Sequence, residues 1–189
     1  MKLGNFTVKT KNGAMEIEVA YFDSHDAKVF KRLFDVWVKL NNGLGKYGRK
    51  TNIPEVLSEG MFCIFSKSAR CQRKLKGKGS VSFDTINLKT GEREQIKASS
   101  IKSDLSSFGP KSEWDRLYFM SFYNNGNPDG TFDVYKIPNK LIYENKVNKG
   151  QTMKRQQKEK RRPRFSIMDD IIKAYKIKPM GKNIKVWQS

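Results

Sequence analysis

The sequence predicts an α/β fold, a mixed central sheet flanked by helices, and three observations carry that prediction. Short alternating segments of strand character recur from the first residues to the last. Two amphipathic helical patterns stand between the opening strands and the central ones, and helical patterns return after residue 138. No internal repeat or low-complexity linker divides the 189 residues, so a single domain over residues 1–189 with a sizeable core is expected.

The chain opens with an expected hairpin: a strand over residues 6–9, a turn at Asn12-Gly13, and a strand over residues 15–21. Asn-Gly suits a two-residue hairpin turn because both positions tolerate positive φ. A helix follows over residues 24–40, capped by Asp23 or Ser24 and ended by Gly43 and Gly45. Val29, Phe30, Leu33, Phe34, Trp37 and Leu40 give it one wide apolar face. A second helix is expected over residues 54–66, with Asn52 as cap, Pro54 tolerated in the first turn, and Leu57, Met61 and Phe65 along one side. Residues 67–78 then read as a basic loop with Arg70, Arg73, Lys74 and Lys76 and no acid. A central hairpin spans residues 83–99, and strands at 116–123 and 131–137 are joined by a polar loop at 124–130. A short helix from Pro138-Asn139 to about residue 146, a helix over 166–175 and a strand over 183–187 close the chain. Past the opening hairpin the order is helices, a mixed sheet, then helices again.

Charge narrows the function. Lys plus Arg number 38 against 19 Asp plus Glu, a net charge of +19, and such a surface attracts polyanions. Nucleic acid is the strongest candidate. An anionic membrane fits less well, because long amphipathic or apolar segments are missing and runs such as residues 61–65 are far too short to span a bilayer. The start runs straight into strand-like residues with no signal-peptide pattern. Cys63 and Cys71 suggest neither a disulfide framework nor a zinc site, which places the protein in a soluble, reducing, intracellular compartment. His25 is the only histidine and reads as an exposed first-turn residue; histidine-dependent nuclease chemistry has little to work with. Cys63, Trp37 and Trp114 read as packing residues.

The central hairpin carries the chemistry. Alternation puts Gln95, Lys97 and Ser99 on one face of a strand and Glu94, Ile96 and Ala98 on the other. A two-residue turn at Thr90-Gly91 sets Asp84 opposite Lys97, and a four-residue turn sets it opposite Gln95. Either even-length loop brings Asp84 onto the Gln95/Lys97 face, with opposed Cβ atoms roughly 4.5–5.5 Å apart; a three-residue loop does not. Asp84 is then a hard oxygen ligand for Mg2+ and Gln95 a neutral carbonyl ligand. Lys97 orients the attacking water and stabilises charge on the phosphorane. An amide where a second acid commonly stands removes a negative charge, and Glu59 in the second helix is the nearest candidate to restore it. As a bare pattern, one acid and a Gln-x-Lys also suit an ordinary polar hairpin.

Longer blocks decide. Leu57-Ser58-Glu59-Gly60, Ser82-Phe83-Asp84 and Gln95-Ile96-Lys97-Ala98-Ser99-Ser100 resemble the PD-(D/E)xK nuclease core in its Gln-x-Lys variant. Residues 108–115 (FGPKSEWD), 132–138 (FDVYKIP) and 161–167 (RRPRFSI) resemble one group within it, the small type II restriction endonucleases that cut GCNGC. The resemblance runs nearly end to end. It implies a restriction-endonuclease-like α/β core with Asp84, Gln95 and Lys97 at the active site. Glu59 matches the upstream helical acid of some members. Two departures stand out: no proline precedes Asp84, and the second acid is Gln95.

The implied activity is Mg2+-dependent, sequence-specific cleavage of double-stranded DNA leaving 5′-phosphate ends, by a homodimer matched to a two-fold site. A companion methyltransferase in the same prokaryotic cytoplasm would protect host DNA. Residues 149–164, with eight basic residues and one acid, are expected to contact DNA through Lys154, Arg155, Arg161, Arg162 and Arg164. Arg70, Arg73 and Lys74 are expected to clamp phosphates near the scissile strand. The rivals are a non-catalytic basic nucleic-acid-binding protein, with no use for Asp84 and Lys97, and a non-specific repair nuclease of the same superfamily.

Overall fold

The computed structural model describes residues 1–11, 13–76, 81–102 and 104–188. In chain order the elements are β1 (Lys2–Thr10), β2 (Gly13–Tyr21), α1 (Ser24–Leu44), α2 (Glu55–Ser66), β3 (Ser68–Lys74), β4 (Thr85–Asn87) and β5 (Arg93–Ser99). There follow β6 (Ser106–Ser107), β7 (Arg116–Ser121), β8 (Phe132–Ile137), α3 (Asn139–Glu144), β9 (Lys146–Asn148), β10 (Gln151–Thr152), α4 (Met153–Lys158), β11 (Arg164–Phe165) and β12 (Gly181–Ile184). Eight strands form one mixed sheet in the order β1-β2-β3-β4-β5-β7-β8-β12. Its one parallel pair is β5 with β7, from Glu94↔Arg116 to Ser99↔Ser121. The expected α/β class, a mixed sheet with flanking helices, is what the chain adopts.

Two layers of apolar packing sandwich the sheet. Under α1 and α2 lie Phe30, Phe34, Trp37, Phe62, Ile96 and Tyr118. The opposite layer holds Phe108, Trp114, Leu117, Phe119, Ile142 and Phe165. The pleat of β5 therefore sends Ile96 to the helical side, while the Lys97 amine lies 5.6 Å from the Phe108 ring centroid on the other. Trp37, Trp114 and Cys63 are buried, as packing residues should be, and His25 is exposed.

Several elements differ from expectation. The expected opening hairpin forms with longer strands than residues 6–9 and 15–21; it makes one edge of the sheet, and Thr10↔Gly13 is its last pair. Of the expected turn residues, Asn12 lies outside the described residues. The basic segment expected as a loop is largely strand β3, pairing with both β2 (Ala20↔Arg70) and β4 (Arg70↔Thr85). Ser68 and Ala69 are buried there, whereas Gln72 and Arg73 are exposed. Helix α1 continues through Gly43, and Asp23 caps it by accepting from the His25 and Asp26 amides. Its buried arc runs through Phe30, Phe34, Trp37 and Asn41, leaving Leu33 and Leu40 exposed at 48% and 59% beside Val36.

Residues 149–164 are not a free arm. Met153, Gln156 and Pro163 are buried within them, and Phe165 stacks on Phe108 at 5.4 Å. The following helical turn, Met168–Lys173, is π-type. Buried Asp104 fastens its start by accepting from the Ser166 hydroxyl and from the amides of Ile167 (2.9 Å) and Met168 (3.3 Å). The closing strand is β12, which pairs with β8. Among the described residues no helix is long and apolar enough to cross a membrane.

Helices α1 and α2 meet at Gly60, where an added Cβ would lie 2.3 Å from the Phe30 ring. Gly60→Ala is expected to destabilise the protein by about 1–3 kcal/mol, measured by urea denaturation, because the ring is itself buried and cannot swing away. A neutral result would show that the helices separate easily.

Candidate active site

The register of the central hairpin is set by its loop. Thr85 pairs with Glu94 and Ile86 with Arg93, and the Asn87 amide donates to the Glu92 carbonyl at 3.0 Å. Four residues, 88–91, form the turn. Gly91 takes φ +71°, and the Asn87 side-chain oxygen accepts from the Lys89 and Thr90 amides. This is the four-residue form of the two even-length turns, and it sets Asp84 opposite Gln95.

Asp84 is clamped where β4 begins. Its carboxylate accepts from the Ile96 amide at 2.7 Å and from the Gln95 side-chain amide. Burial pushes its pKa up to about 6, with the nearby Lys97 ammonium and the Ile96 hydrogen bond acting the other way. Glu59, buried in the middle of α2, carries Arg70 on one oxygen at 2.6 Å. Burial and then the charge of Asp84 raise its pKa to about 7, against the pull of Arg70. Glu55 adds a smaller upward push at both. Two carboxyls, Glu59 buried and Asp84 half-buried, thus border one site with pKa values raised toward neutrality.

The site opens into a cleft of about 1080 Å³ lined by Asp84, Gln95, Lys97, Glu59, Glu55 and Arg162. Lys74 also lines it. Of the residues expected to meet DNA, Lys74 and Arg162 therefore reach the same cleft as Asp84. Arg70 does not line it and is turned onto Glu59. Arg73 is exposed on the sheet and bonded to Glu18 at 3.2 Å. Arg155 and Arg161 share Glu159 outside the cleft, and Lys154 and Arg164 are exposed.

Glu94, adjacent to Gln95, cannot take its place. It points to the other face of β5, where it is 1% exposed and accepts from the Thr85 hydroxyl at 2.7 Å. Burial raises its pKa.

Asn52 has a different task from the helix cap expected of it. Helix α2 has no side-chain cap, and Pro54 occupies that position. The Asn52 oxygen accepts from the Ser100 amide (2.8 Å) and hydroxyl (3.1 Å), while its amide donates to the Ala98 carbonyl at 2.8 Å. The Ser100 hydroxyl oxygen also accepts from the Ile53 amide at 3.0 Å. This clamp fixes the helix carrying Glu59 to the end of the strand carrying Lys97. Loosening such a mount misplaces reacting groups, and a shift near 1 Å costs on the order of 100-fold. Asn52→Ala is expected to lower the single-turnover cleavage rate by roughly 10–100-fold. A rate equal to wild type would remove Asn52 from this role.

The sequence profile of the Bsp6I restriction endonuclease family matches residues 22–174, which include every residue of the Asp84–Gln95–Lys97 site. The type II restriction enzyme Bsp6I of Bacillus sp. (strain RFL6) is 32% identical over 155 residues, covering 80% of this chain and 83% of that protein. No solved structure matches the chain. With a family match over most of its length and an acid, an amide and a lysine converging in one cleft, the chain belongs to the Bsp6I restriction endonuclease family.

Proposed function

We propose that this restriction endonuclease is a Mg2+-dependent type II enzyme that hydrolyses both strands of DNA at GCNGC. It leaves 5′-phosphate and 3′-hydroxyl ends. The observation that carries the chemistry is Asp84, held by the Ile96 amide beside Gln95, with Lys97 on the same strand face in a cleft that also takes in Lys74 and Arg162. The GCNGC site rests on the resemblance of the three longer sequence blocks.

The donors suit a hard divalent cation. Asp84 and Glu59 are carboxyls whose pKa values burial raises, and a cation would offset the cost of charging them there. Asp84 and the carbonyl oxygen of Gln95 would hold Mg2+, with Glu59 beside them. When bound, the metal supplies Lewis acidity at the phosphodiester and lowers the pKa of water. Lys97 directs the attacking water and offsets charge on the phosphorane. Phosphates are met by Lys74 and Arg162, and the exposed basic surface from Lys154 to Arg164 extends that track. A GCNGC site is two-fold symmetric, so a homodimer presents one cleft to each strand. A methyltransferase of the same specificity is the functional partner, and the cytoplasm of a prokaryotic cell is where both would act.

Incubating the purified protein with plasmid DNA, with and without Mg2+, and sequencing the ends tests this reading. Discrete fragments ending at GCNGC only with metal are expected. A smear would point to a non-specific nuclease, and intact DNA would overturn the enzymatic reading.

A further inference from the structure

We propose that Glu55 is a further carboxylate ligand of the divalent-cation site, supplying the negative charge that Gln95 lacks. This rests on the metal-dependent reading above and adds a residue to it. Five acids line the cleft: Glu55, Glu59, Asp84, Asp104 and Glu113. Four are engaged. Glu59 holds Arg70, Asp84 accepts from Ile96 and Gln95, Asp104 ties down residues 166–168, and Glu113 binds Lys11. Among the described residues the Glu55 carboxylate has no hydrogen bond or ion pair.

Charge shows what is missing. Lys97 answers Asp84 on the same strand face, Arg70 answers Glu59, and Gln95 is neutral. The protein groups around the site therefore nearly cancel, which is a poor setting for a doubly charged cation whose affinity follows ligand charge. Glu59 cannot restore the balance while Arg70 occupies one of its oxygens.

Geometry places Glu55 to do so. It lies four residues before Glu59, about one turn of α2 away on the same helix face, about 6 Å along the axis. The Asn52–Ser100 clamp pins that first turn to the end of β5, three residues beyond Lys97. An exposed carboxylate there opens onto the cleft and can take a cation without breaking another bond. The ordinary alternative is a first-turn acid that only complements the helix dipole, an effect on stability alone.

Mn2+ titration followed by electron paramagnetic resonance, on wild type, Glu55→Gln and Asp84→Asn, separates these. Glu55→Gln is expected to weaken Mn2+ binding by at least roughly tenfold, with a melting temperature in EDTA close to wild type because no partner is lost. The Mg2+ concentration for half-maximal cleavage should rise in parallel. Wild-type Mn2+ affinity in Glu55→Gln, alongside weakened binding in Asp84→Asn, overturns the role of Glu55 and leaves the metal site standing. No binding by wild type, or equal binding by all three proteins, overturns the metal reading itself.

Discussion

Lys97→Ala is expected to lower the cleavage rate by on the order of 10²–10³-fold or more while DNA affinity stays within about tenfold. The reason lies in how Lys97 is held. Its ammonium has no ion pair among the described residues, and its recorded contact is the Phe108 face at 5.6 Å, a weak attraction for a cation. It is near Asp84 but in no direct ion pair, which leaves its donors open to charge forming in the transition state. On the proposed reading Lys74, Arg162 and the exposed arginines make the ground-state phosphate contacts, so binding should survive the loss of one cation. Lys97 also holds the Asp84 pKa down, so any residual activity of the variant should shift to higher pH. Arginine is no conservative replacement, because its planar fork delivers charge to a different place. Single-turnover cleavage and gel-shift titration on the same preparation check both halves. A variant cutting within about tenfold of wild type would place the chemistry elsewhere.

The candidate face of the hairpin was legible because strand alternation is a local rule: Gln95 and Lys97 share a side, and Glu94 does not. The turn length was left between two and four residues. What settles it is Asn87, whose side chain caps the loop amides while Gly91 takes positive φ. β3 was obscured by composition. Arg70, Arg73 and Lys74 suggest a solvated loop, but the ladder bonds of a strand lying between two others do not depend on side-chain charge. In residues 149–164 the DNA-contacting reading concerned only the basic residues, and their density hides the buried Met153 and Gln156. In α1 the expected apolar face holds only through Phe30, Phe34 and Trp37; periodicity alone does not say which part the core covers, and Leu33 and Leu40 fall outside. Glu55 carried no sequence signal, because an acid in a first helical turn is explained by the dipole alone.

The pH dependence of stability gives the second large effect. In EDTA, wild-type protein is expected to become less stable between about pH 4 and pH 7 through Asp84 and Glu59. Their folded pKa values, about 6 and about 7, lie above the ordinary 3.8 and 4.5. Over that window the native state binds more protons than the unfolded chain, so stability falls as pH rises. Their contribution is complete below the unfolded values and lost above the folded ones. The carboxyls of Asp115 and Asp129 are held below the usual range and gain their effect at lower pH, outside this window.

Asp84→Asn removes the charge yet keeps an oxygen for the Ile96 amide, so it should be more stable than wild type at pH 8 by on the order of 1–3 kcal/mol. Glu59→Gln should also gain on wild type as pH rises from 5.5 to 8, because it lacks the buried carboxyl whose ionisation costs stability over that range. With Asp84 as the proposed Mg2+ ligand, the ion would compete with its proton, so Mg2+ should raise the wild-type melting temperature more at pH 8 than at pH 5.5 and barely affect Asp84→Asn. Thermal melts of the three proteins at the two pH values, with EDTA and with Mg2+, check every sign. A gain in wild-type stability relative to Asp84→Asn as pH rises in EDTA would mean that Asp84 is ionised and satisfied without a metal. Asp84 would then lack the proton whose displacement couples metal binding to pH.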